Sequence, residues 1–104
     1  MVRGTTPTFV LTIDDDELDL TQTTVYVTFR QDTDKCHGLL ITKTGDDIEV
    51  KPKEVDVFLS QAETLKFAKG SMQIQLNWVY ADGSRACSDI KTVMVEKNLL
   101  GMVL

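Results

Sequence analysis

Long hydrophobic runs are missing from this chain: no apolar stretch approaches the ~20 residues that cross a bilayer as a helix, and residues 1–7 lack the apolar core of a secretory signal. The expectation is a chain made in the cytosol that stays there or in something assembled there. Sulfur is scarce as well. Cys36 and Cys87 are the two cysteines, far apart and without a CxxC spacing, so neither a disulfide framework nor a dithiol redox motif is indicated, and two free thiols, buried or half-exposed, are expected over a bridge between them. Glycines stand singly, in no GxGxxG, GxxxxGK[ST] or GxSxG pattern, so nothing in the sequence signals a phosphate cradle or a nucleophile elbow. Positive charge is in the minority too. Eleven Lys and Arg face sixteen Asp and Glu, giving a net charge of −5, and the acidic residues cluster at 14–19 and 46–49. A polyphosphate backbone would be repelled there, and no basic amphipathic helix offers itself to a membrane surface, so neither nucleic acid nor membrane is expected as a partner.

His37 is the single histidine. Beside Cys36 it raises a metal or nucleophile reading, but a structural zinc needs four ligands in recognisable pairs, and adjacent side chains in a strand diverge. A Cys–His catalytic pair needs an orienting group and an oxyanion hole, and no local motif signals either. A loop histidine and a packed thiol are the expectation. The run Asp14, Asp15, Asp16, Glu17 and Asp19 departs from the EF-hand spacing and lacks its central glycine, so it reads as a solvated loop. Paired carboxylates for glycoside hydrolysis must face one another across a cleft, which a chain this short has little room to build. No catalytic residue, metal ligand or cofactor is assigned, and the chain is read as non-enzymatic.

What the sequence does contain is β-sheet patterning. At 104 residues, 42% hydrophobic and 26% charged, it has ordinary globular composition and enough length for one core, so residues 1–104 are taken as a single domain. Residues 8–13 place Phe9, Leu11 and Ile13 on one face at period two; the strand over 20–30 does the same with Val25, Val27 and Phe29. After a polar break at 31–35, runs at 38–43 and 48–51 flank Thr44-Gly-Asp-Asp47 and predict a hairpin. Val55, Val57 and Leu59 mark a fifth strand. Ser60 and Glu63 match a capping box and predict one helical turn over 60–67, with Leu65 and Phe67 closing an end of the core. Gly70 resets the chain direction. Met72, Ile74, Leu76, Trp78 and Tyr80 then give the clearest alternation in the chain, the central strand. Asp82-Gly83 predicts a type I′ turn into a long closing strand over 84–95.

About seven short strands with one helical turn predict an immunoglobulin-like antiparallel β-sandwich, with a small β-barrel as the alternative. The aromatics Phe9, Trp78 and Tyr80 read as packing residues, although exposed Tyr26, Tyr80 or Trp78 would support a carbohydrate- or surface-ligand-binding module. Residues 98–104 are nearly all apolar where a chain end is usually polar. Leu99, Leu100, Met102, Val103 and Leu104 either dock on their own domain or insert into a neighbouring subunit, and they are the candidate partner-binding residues.

The order Asp19-Leu-Thr21, Val25-Tyr-Val-Thr-Phe29, Val57-Phe-Leu-Ser-Gln-Ala-Glu-Thr-Leu65, Gly70, Ile74-Gln-Leu-Asn-Trp78 and Asp82-Gly83 resembles small β-sandwich structural proteins of tailed phages and prophages, in particular the N-terminal domain of siphophage upper baseplate proteins. Arg3-Gly-Thr-Thr-Pro7 is similar to the start of small prophage-encoded proteins of Gram-positive gut bacteria. The likeness covers nearly the whole chain through strand and turn motifs. It implies a virion structural component of the tail or baseplate, assembled in the bacterial host cytoplasm, that packs into a symmetric oligomer with itself or with larger tail proteins. Upper baseplate proteins continue into further domains where this chain ends at Leu104, which implies a free-standing accessory or adaptor piece.

Overall fold

A computed structural model describes residues 1–97. The alternating apolar segments fold into two antiparallel sheets. The smaller has β1 (Thr8–Thr12), β5 (Glu54–Phe58) and β4 (Ile48–Lys51), with β5 in the middle. The larger is built on β2 (Thr24–Thr33) and β6 (Gly70–Val79), with β3 (Cys36–Thr44) outside β2, and both β7 (Arg85–Cys87) and β8 (Lys91–Val95) along the far side of β6. The two sheets do not close on each other, so the barrel alternative is not what this sequence forms.

Period two sorts the side chains. Val25, Val27 and Phe29 from β2, Met72, Ile74, Leu76 and Trp78 from β6, and Val55 and Val57 from β5 are buried between the sheets, each removed from water at a gain of roughly 1.5–3 kcal/mol for a full-sized aliphatic or aromatic side chain. Phe9 of β1 meets Phe29 of β2 across the interior with ring centroids 5.5 Å apart and planes tilted by 57°. Leu18 and Leu20 are buried with this core, as are Leu59 and Phe67.

Several expected boundaries move. Leu20–Gln22 is a 3-10 turn, because the Asp19 carboxylate accepts from the Thr21 N–H and starts a helical rather than an extended segment; β2 begins only at Thr24. β2 then runs through the expected polar break to Thr33, with a register shift between Gln31 and Thr33, and Gln31 is buried. The runs flanking Thr44-Gly-Asp-Asp47 are not a hairpin. Gly45–Asp47 is a 3-10 turn that carries the chain from one sheet to the other: β3 pairs with β2, whereas β4 turns on Pro52-Lys53 and pairs with β5 in the register Lys51↔Glu54. Proline's fixed φ suits the first central position of such a turn.

The capping box forms as its sequence predicts, with Glu63 N–H donating to Ser60 Oγ and Ser60 N–H to Glu63 Oε1, but the helix it starts, α1 (Gln61–Thr64), ends sooner than expected. Phe67 is buried as expected, and Leu65 is half-buried. The Asp82-Gly83 turn is not type I′, since that would require positive φ at both residues and only Gly83 has it, at 88°. Instead Gly83 N–H donates to Tyr80 O and Tyr80 N–H to Ser84 O, closing a three-residue loop with glycine in its left-handed position. The closing strand is also broken. β7 pairs with Asn77–Val79 and β8 with residues 70–74, their registers offset by one residue, so 88–90 holds a β-bulge.

Candidate functional site

The bulge borders an apolar recess. At Ser88 the backbone N–H donates to Leu76 O at 2.8 Å, but the Leu76 N–H is met by the Ser88 hydroxyl at 3.0 Å where a regular ladder would use the Ser88 carbonyl. The displaced Ser88 carbonyl accepts from the Gln75 side chain at 3.0 Å. The strand therefore swings aside between β7 and β8, and a groove of about 320 Å³ opens between that margin and β1. Leu11, Ile13, Ile74, Leu76 and Val93 line it, with Lys91 at its margin. All of residues 9–13 border the groove, those facing inward and those facing outward, so what lies along it is the edge of β1. β1 has no ladder partner other than β5 among the described residues, and its sequence, TFVLT, holds no charge, proline or bulge. Those are the usual devices that stop an edge strand from pairing with another chain.

Residues 2–7 pass from the margin of β8, at Glu96, to the start of β1, where Pro7 O accepts from Leu59 N–H at 3.1 Å. Met1 N–H₃⁺ donates to Met94 O at 2.8 Å, Glu96 N–H to Met1 O at 2.7 Å and Arg3 N–H to Glu96 O at 3.0 Å, a parallel bridge that covers the outer edge of β8 at its end. A polar latch holds this strap on α1. Arg3 donates from Nε to Phe67 O and from Nη2 to Leu65 O, satisfying carbonyls left free past the helix, and the buried Thr64 hydroxyl accepts from Gly4 N–H at 3.0 Å and donates to Thr5 O at 2.8 Å. Lys43 of β3 reaches Glu63 at 2.7 Å, with both side chains mostly shielded. Burial pushes the Glu63 carboxyl upward, but the Lys43 ammonium and the Ser60 backbone and hydroxyl outweigh it and hold the group below its ordinary value. Sequence reading missed the latch of residues 3–5 on residues 64–67, because it joins positions about sixty apart.

The residues singled out for chemistry lie apart from the groove. Cys36 is half-buried, with its thiol 3.7 Å from Lys66 O, and Cys87 is exposed; both are free. His37 is exposed, with Nδ1 3.9 Å from an Asp32 oxygen. Residues 14–17 and Asp19 are exposed around buried Leu18, and three of their carboxylates line a second recess of about 430 Å³ together with Tyr80. Asp15 and Asp19 direct oxygens at nearby backbone N–H groups, of Glu17 and Thr21, rather than at a common point. No group of three or more His, Cys, Asp or Glu among the described residues is arranged to hold a metal ion, and no described helix is long and apolar enough to cross a membrane. Trp78 is buried, whereas Tyr26 and Tyr80 remain 36% and 38% exposed. Leu99, Leu100, Met102, Val103 and Leu104 lie outside the described residues.

Compared with known proteins, the chain matches no family model, no curated sequence and no solved structure.

Proposed function

We propose that this chain is a non-enzymatic structural component of a tailed-phage or prophage particle, a tail or baseplate piece that acts through protein–protein contacts. In this reading the two sheets are an immunoglobulin-like sandwich and the working parts are its margins. The carrying observation is the edge of β1 beside an apolar groove: among the described residues, a strand free of charge, proline and bulge has no partner on that side. The acidic loop supports the absence of chemistry, since Asp15 and Asp19 turn toward their own loop. The particle assignment rests on the sequence resemblance carried by residues 19–21, 25–29, 57–65, 70, 74–78 and 82–83.

Light scattering of the purified chain across a hundredfold range of concentration tests it. A discrete oligomer, or a complex with a larger tail protein, is the expected outcome; a monomer throughout that binds no tail protein sinks the reading. A second reading, a carbohydrate- or surface-ligand-binding module, is favoured by exposed Tyr26, which shares a recess with Thr28, Thr42, Asn77 and Arg85. It predicts glycan binding that Tyr26→Ala abolishes.

A further inference from the structure

Resting on the surface-ligand reading, we propose that the recess on the outer face of the larger sheet binds a carboxylated sugar, its ring against Tyr26 and its carboxylate on Arg85. The first observation is which polar groups on this face are already engaged. Arg30 donates to Gln73 at 3.2 Å and to Asp32 at 3.1 Å, the Gln75 amide to Ser88 O at 3.0 Å, and the Thr44 hydroxyl to Val25 O at 2.7 Å. By contrast, the Arg85 guanidinium, the Asn77 amide and the hydroxyls of Tyr26, Thr28 and Thr42 make no hydrogen bond or ion pair with another described residue, and all five side chains line one recess of about 310 Å³. Strand register brings them together. Tyr26 lies opposite Asn77 and Thr28 opposite Thr42, while Arg85, opposite Val79, stands on the other side of β6, about 10 Å from Tyr26 across two strand spacings.

The second observation is charge. The chain carries sixteen acidic residues, yet the five strands of the larger sheet hold one, Asp32, and it is paired with Arg30 at the far end of β2; the smaller sheet holds Glu49, Glu54 and Asp56. Asp82, in the turn before β7, directs its carboxylate at the Ser84 N–H and hydroxyl, at 2.8 and 2.6 Å. In a molecule of net charge −5, Arg85 thus gives this recess a positive charge with no carboxylate against it, and the guanidinium fork matches a carboxylate with two parallel hydrogen bonds. The third observation selects a sugar as the bearer of that carboxylate. Threonine hydroxyls and the asparagine amide both donate and accept, as sugar hydroxyls do, and the Tyr26 ring, 36% exposed, offers an apolar face to the C–H side of a pyranose. An apolar side chain of a peptide would leave those polar groups unpaired, and a small inorganic anion would leave Tyr26 unused.

The experiment titrates the full-length chain, followed by its amide chemical shifts, with three probes: methyl glucuronide, methyl glucoside, which has a hydroxymethyl group in place of the carboxylate, and acetate. The expected result is a set of shifts centred on residues 26–28, Thr42, Asn77 and Arg85, with the glucuronide bound at least tenfold more tightly than either the glucoside or acetate. Arg85→Gln should bring the glucuronide down to the level of the glucoside. Arg85→Lys should recover part of the difference, because an ammonium keeps the charge without the fork, and Tyr26→Ala should weaken both sugars. Equal binding of the two sugars, removed by Tyr26→Ala, overturns the acid preference and leaves the surface-ligand reading standing. Acetate bound as tightly as the glucuronide overturns the sugar, and shifts centred elsewhere overturn the recess. No shift with either sugar overturns this inference, and a parent chain that also binds no neutral or acidic glycan on an array overturns the reading beneath it.

Discussion

Gln31 is a polar residue in a strand where Val27 and Phe29 precede it on the inward face, and it is fully buried. Its amide is fully engaged by the segment after α1: Nε2 donates to Ala68 O at 2.8 Å and to Ser71 O at 3.3 Å, and Oε1 accepts from Ala68 N–H at 2.7 Å. Replacing it with methionine keeps the volume but strands a buried N–H and two carbonyls, so Gln31→Met should lower stability by about 2 kcal/mol. Urea unfolding should show this as a lower midpoint with an unchanged slope, and a change under 0.5 kcal/mol would mean that water replaces the amide. Glu63 makes a pH-dependent contribution of determinate sign. Its folded carboxyl sits below the ordinary value of 4.5, so the stabilisation is present above that value and is lost as pH falls through it and below. Acidification from ~pH 5 should therefore destabilise the native protein more steeply than Glu63→Gln, which already lacks the ion pair with shielded Lys43. Parallel acid-unfolding curves for the two proteins would contradict this.

Strand identity was legible because alternation is local: Val25–Phe29, Val55–Val57 and Met72–Trp78 each declare a buried face within a few residues. Strand partnership was not. β3 and β4 are three residues apart yet lie in different sheets, since a short turn fixes only where the chain goes next and not which edge it meets. The break in the closing strand was hidden for a related reason: residues 84–95 are uniformly strand-compatible, and the offset shows only against β6. That offset makes a prediction. Ala86 and Ser88 face inward before the bulge and Lys91, Val93 and Val95 share the inward face after it, so removing Asp89 leaves every side chain on its side and restores an unbroken ladder. The Asp89 deletion should unfold within about 1 kcal/mol of the parent protein, with the Leu76 amide pairing to the Ser88 carbonyl instead of its hydroxyl. If the bulge is what opens the groove, the deletion should also weaken self-association. A collapse of stability would show that the bulge is needed for folding itself.

Across the whole molecule, protection from solvent should fall from the centre of the larger sheet toward its margins and the edge of β1. β6 is paired on both sides and lays Met72, Ile74, Leu76 and Trp78 into the interior, so its amides should exchange only through near-global unfolding, with those of β2 close behind. Among the described residues β1 is paired only with β5, and its amides that point away from β5 should exchange within the fast range when copies are dilute. Strand addition changes that ordering in a way no other mode of assembly does, because it places a hydrogen-bond acceptor on those amides. Hydrogen exchange followed at low and high protein concentration should therefore show protection rising at residues 8–12 while β3, β4 and β7, which also lie at sheet margins, stay unchanged. If the chain oligomerises and the rise appears along Cys36–Thr44 instead, the copies meet through β3, and the groove beside β1 has some other use.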